Sequence, residues 1–163
     1  MHQNELKPGY EFVYTVTDYY DGPRKGIANF QGKPHLYECI FDESKDSYSD
    51  LFRLAPVDAE TFQLAIEAWE IWRRWEFAFH SGETEMSTHP ALPREAKRHE
   101  ELKQLLDKAL VIDARTAITQ IGQLKYRGKV VSPKVCFDNF RSGGSNLKTL
   151  LVCYQMAGLA VFA

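Results

Sequence analysis

Two clusters of turn-forming residues, Asp21-Gly22-Pro23 and Gln31-Gly32-Lys33-Pro34, lie one short strand apart and are flanked by aromatic and β-branched residues. Gly22 can take positive φ and Pro23 cannot donate to a ladder, so the chain should reverse there, and again at the second cluster. Between such closely spaced turns only short antiparallel strands fit. Tyr10, Phe12, Tyr14 and Val16 alternate with Glu11, Val13, Thr15 and Thr17, the period of a strand with one buried face. Ile27, Ala28 and Phe30 suit a second strand. His35 to Phe41 alternates again, with Leu36, Glu38 and Ile40 facing one way and Tyr37, Cys39 and Phe41 the other. A polar loop, Asp42 to Asp50, is expected next, followed by a fourth strand over Leu51 to Leu54.

Four short strands with Gly/Pro turns predict a meander or a small curled sheet, a partly open barrel that is SH3-like only by architectural analogy. A helical region follows. Asp58 is a good N-cap for the run to His80, and Glu60 places an acid in the first turn, where the helix dipole favours it. Phe62, Ala65, Ile66, Trp69, Trp72 and Phe79 recur at helical spacing, and Leu64, Ala68, Ile71 and Trp75 widen the apolar surface beyond one stripe. Such a helix should pack on two sides, against the sheet and against a second helix or a second subunit. That second helix is expected over 94–110, with Leu102, Leu105, Leu106, Ala109 and Leu110 on one face. Residues 114–122 suit either more helix or a strand, 124–131 and 134–137 look like short strands, 141–146 reads as a loop, and 147–163 is an apolar tail. The expected fold is α+β, one domain over 1–163, with a β meander at 10–54 and helices at 58–80 and 94–110.

Twenty basic and twenty-two acidic residues leave a formal charge of -2, so nothing global points to nucleic acid or an acidic membrane. Cys39, Cys136 and Cys153 are widely spaced with no CxxC pair, which fits a reducing compartment. The start, MHQNELKPGYEF, has neither the cationic residues nor the apolar run of an export signal, so the cytoplasm is the expected location. The uncharged part of the tail begins at Thr149 and is too short for the roughly 20 residues that span a bilayer, so no membrane association is expected.

The densest chemistry lies between Tyr19 and Glu38. Tyr19, Tyr20, Asp21, Arg24, Lys25, Lys33, His35, Tyr37 and Glu38 would converge if the two turns presented their cations at one end of a tight meander, where they could hold an anion or a carboxylate. The plainer reading makes those cations solvated turn residues. Gly22, Gly26 and Gly32 are spaced by four and six, unlike any phosphate-binding loop, and no cofactor is indicated. His35 and Glu38 are three apart and should fall on opposite faces of a strand, so a basic His35 would need Asp21 or Asp18. Trp69, Trp72 and Trp75 fan over about 120° of the helix and so fit a core better than one flat stacking platform. His80, His89 and His99 match no metal-ligand spacing. No metal site is predicted.

The pattern DYYDGPRKGIANFQGKPHLYE followed by a Trp-rich helix, covering about Pro8 to Leu110, resembles a group of small bacterial proteins with no assigned activity. The resemblance implies a single cytosolic domain and contributes no catalytic residue. A binding or interaction domain is therefore expected, with Tyr19, Tyr20, Asp21, Arg24, Lys33, His35, Tyr37 and Glu38 facing a small anionic or planar ligand, or a protein partner. A small hydrolase or transferase using His35 with Asp21 or Glu38 is the alternative, and would need a deep pocket. A homodimer through the Trp helix or the apolar tail is compatible with either.

Overall fold

The computed structural model describes residues 11–19, 23–123 and 134–137. It has the expected α+β fold, a small curled antiparallel sheet and two helices. The 1–163 stretch expected as one domain comprises two compact units, Met1–Pro56 with Ile112–Ala163, and Val57–Val111.

In the first unit, β1 (Glu11–Tyr19), β2 (Pro23–Phe30), β3 (Lys33–Asp42), β4 (Ser47–Pro56) and β5 (Ile118–Gln123) pair in sequence order, each antiparallel to the next. A short β6 (Lys134–Phe137) pairs with β5 through Gly122↔Phe137 and with β1 through Glu11↔Val135, so the curled sheet meets itself. Val13, Ala28, Phe30, Tyr37, Phe52 and Leu54 are buried in this unit. Each large apolar side chain withdrawn from water contributes about 1.5–3 kcal/mol, which is what holds so small a sheet together.

Gly26 and Tyr37 explain how closely β1 and β2 approach. The Tyr37 hydroxyl crosses the interior to donate to the Thr15 carbonyl at 3.3 Å, and Thr15 Oγ1 accepts from the Ile27 amide at 2.9 Å. A Cβ at Gly26 would stand 2.0 Å from the Thr15 carbonyl oxygen and 2.7 Å from the Tyr37 hydroxyl, so only glycine fits.

The β2–β3 reversal uses two residues, Gln31 and Gly32, at φ 52° and 79°, the left-handed pair that suits a tight hairpin. Pro34 lies inside β3, but register with β4 begins only at His35↔Pro56, so its missing N–H deprives no partner on that side.

Two expectations are corrected here. The polar loop expected over 42–50 shrinks to residues 43–46, because the Asp42 carboxylate accepts from the Ser44 amide at 3.0 Å and its hydroxyl at 2.6 Å and closes the turn at once. Ser47 to Asp50 therefore belong to β4. The alternation expected along β3 holds from Tyr37 to Ile40 and fails at Phe41. Tyr37 and Cys39 are buried, while Phe41, expected to face the same way, is 44 % exposed beyond the register shift between Cys39 and Phe41.

The second unit is an antiparallel helical pair. α1 (Ala59–His80) starts as expected: the Asp58 carboxylate accepts from the Thr61 amide at 2.9 Å and from its hydroxyl at 2.7 Å. Ile71, Ala91 and Leu102 form a buried cluster with Leu64, Ala68 and Leu106 packed on it. α2 (Ala96–Ala109) buries only Leu102 fully, and Leu105, expected on the apolar face, is half exposed because the contact follows the narrower Leu102–Leu106 stripe. Arg98 clamps Glu67 through two 2.7 Å bonds, and Arg74 pairs with Glu95. Of the three tryptophans expected in a core, only Trp75 is buried. Trp69 stacks on Trp72 at 4.9 Å, whereas Trp75 turns inward to stack on Phe79 and donates to Thr88 Oγ1 at 2.9 Å. Among the described residues no helix is long and apolar enough to cross a membrane. The strand expected over 124–131, the loop over 141–146 and the apolar tail over 147–163 lie outside the described residues.

Candidate functional site

The register of the sheet lines up Asp18, Lys25, Glu38 and Arg53 as successive partners across β1, β2, β3 and β4. Cross-strand partners rise from the same face about 4.8 Å apart, so the four side chains make a row of alternating charge. Arg53 Nη1 stands 3.6 Å from Glu38 Oε2, with both side chains 36 % exposed. That is an ion pair longer than a hydrogen bond and open to solvent.

Arg24 stands one residue before Lys25 on β2. Its guanidinium lies 4.0 Å from the centre of the Tyr48 ring, and Nη1 donates to Cys39 Sγ at 3.8 Å. Phe41 meets Tyr48 edge to face at 5.1 Å. These groups, with Ile40, line a recess of about 320 Å³.

The β3–β4 bulge creates the recess. Where the ladder is interrupted, the Ser49 hydroxyl donates to the Ile40 carbonyl at 2.7 Å and accepts from the Leu51 amide at 3.1 Å, replacing the lost backbone bonds. The same break re-aims Phe41 and lets it pair with Tyr48.

Three cations and two carboxylates line the recess, with two aromatic rings at one end. A guanidinium lying over a tyrosine offers a flat cationic surface, and Arg53 and Lys25 offer donors for an anionic group. Cys39 adds no reactivity. Burial pushes its thiol up, more than Arg24 brings it down, and the thiol donates to the Ser49 carbonyl at 3.3 Å.

Of the nine residues expected to converge, Arg24, Lys25 and Glu38 come together here. Lys33 and His35 do not. Successive turns of a meander sit at opposite ends of their shared strand, so Lys33, opposite Phe30, is roughly 20 Å along β2 from Arg24 at ~3.3 Å per residue. His35 is buried, its ring edge against Phe30 at 5.2 Å and its Nδ1 3.0 Å from the Lys33 carbonyl. A carbonyl only accepts, so Nδ1 carries the proton and the ring serves the hairpin. Glu38 is aligned with Arg53 instead. Tyr37 is spent in the core on Thr15. Tyr19 pairs with Pro23 through its backbone at the Arg24 end, and Tyr20 and Asp21 lie outside the described residues.

Phe41, Tyr48 and Arg53 were not legible as site residues in the sequence. Tyr48 fell within the expected loop, and Arg53 could be matched to Glu38 only once the β3–β4 register was known. No family model, curated protein or solved structure compared with the chain matches it.

Proposed function

We propose that this chain is a binding module whose ligand is a small planar anion, a ring bearing a carboxylate or phosphate, seated in the recess between Arg24 and Arg53. The observation that carries the reading is the Arg24 guanidinium placed over the Tyr48 ring, 4.0 Å from its centre, beside a row that contains Lys25 and Arg53. The ring of the ligand lies against that cationic plane and Phe41, and its anionic group takes donors from Arg53 and Lys25. The recess, about 320 Å³, is at the small end of the range for ligand sites, which limits the ligand to roughly one ring and its substituent. The partly exposed walls agree with reversible binding better than with an enclosed reaction.

The test is an amide-resolved NMR titration of the full chain with benzoate, adenosine monophosphate and inorganic phosphate. Shifts confined to residues 24–25, 38–41, 48 and 53 with a ring-bearing anion, and weaker ones with phosphate, are expected. No shift with any probe, or shifts gathered at the 31–35 hairpin, would overturn the reading.

A further inference from the structure

We infer that Glu38 is a built-in competitor for the ligand's anionic group, so that the recess is self-occupied when no ligand is bound. This inference rests on the reading of the recess as an anion site. Glu38 stands in register between Lys25 and Arg53, the two cations of the row, so its carboxylate occupies the middle of the positive part of the site. Its contact with Arg53, at 3.6 Å and 36 % exposure on both sides, is of the weak, solvent-screened kind that another anion can replace. Asp18 is one strand further away, beyond Lys25, and competes less. A ligand therefore binds by exchanging one carboxylate for another at Arg53. The exchange favours ligands that add something Glu38 cannot, namely a ring against Arg24 and Phe41, and it rejects bare small anions. Glu38 thus sets selectivity as well as affinity.

The experiment measures benzoate and inorganic phosphate binding to the full chain by NMR titration, at low and high salt, for wild type, Glu38→Gln, Glu43→Gln and Glu38→Gln/Arg53→Gln. Glu43 is an exposed acid in the β3–β4 turn and does not line the recess, so its variant carries the same change in net charge without the same change at the site. Glu38→Gln should bind benzoate about four-fold tighter at low salt, the effect of one unit charge acting at about 5 Å through a water-like dielectric. The gain should shrink at high salt. Phosphate, which carries more negative charge than benzoate, should gain more, so that preference for the ring-bearing anion falls. Glu43→Gln should match wild type, and Arg53→Gln should remove the gain.

Unchanged or weaker benzoate binding by Glu38→Gln, with wild type binding at the recess, would overturn the inference and leave the anion reading standing. An equal gain from Glu43→Gln would also overturn it. No binding by either wild type or Glu38→Gln would overturn the anion reading itself.

Discussion

Replacing Gly26 by alanine tests how tightly β1 and β2 are drawn together. In an open strand this change is favourable by about 0.5–1 kcal/mol, because glycine gives up more backbone freedom on folding. Here the added Cβ would lie 2.0 Å from the Thr15 carbonyl oxygen and 2.8 Å from its carbon, and neither is the end of a flexible side chain. β1 must move outward by more than 1 Å at ordinary contact distances. That shift breaks the Tyr37 hydroxyl bond to Thr15 and strains the Val16↔Gly26 and Thr15↔Ile27 pairs. Overpacking of this kind costs about 1–3 kcal/mol and a lost hydrogen bond about 0.5–1.5 kcal/mol, against the small entropic gain. A net loss of about 2–3 kcal/mol is expected, read from urea unfolding of the full chain followed by circular dichroism. Adding Tyr37→Phe relieves the 2.7 Å contact but not the 2.0 Å one, so it should restore little. Unchanged or increased stability of Gly26→Ala would refute the close approach.

Asp58→Ala should destabilise the helical unit by about 1 kcal/mol, since it leaves the Thr61 amide without its cap; urea unfolding followed by helical ellipticity checks this. Glu76 is a buried carboxylate, with Oε2 on Arg73 and Oε1 without a partner, and burial pushes its pKa up despite Arg73. The folded chain therefore holds that proton where the unfolded chain has released it, so the carboxylate costs stability above its ordinary value and nothing below it. Glu76→Met should raise stability at pH 7, and the gain should shrink as pH falls through the ordinary carboxylate range in parallel unfolding curves. Leu102, fully buried against Ile71 and Ala91, should cost about 2–5 kcal/mol when replaced by alanine.

Local physics made much of the fold legible. The Asp58 cap, the helical spacing from Phe62 to Phe79 and the turn at Gln31-Gly32 are decided by neighbours within a few residues, and each appears where the sequence places it. Ser47 to Asp50 were misread because polar residues ordinarily signal a loop, whereas here Ser49 is polar in order to repair a bulge. The candidate site was legible at Arg24, Lys25 and Glu38. Its other half, Phe41, Tyr48 and Arg53, depends on the β3–β4 register, and register is a long-range property set by where the Asp42 turn closes. The same distinction explains why Lys33 and His35 were wrongly expected beside Arg24: proximity in sequence was taken for proximity at one end of the sheet.

The most direct test of the account is calorimetry of benzoate and adenosine monophosphate against Arg24→Gln/Arg53→Gln and against Lys33→Gln. The recess predicts that the double variant loses at least about ten-fold in affinity, as expected when charge-assisted contacts of about 1.5 kcal/mol or more are removed, while Lys33→Gln stays within about two-fold of wild type. Full affinity in the double variant, or a loss confined to Lys33→Gln, would contradict it.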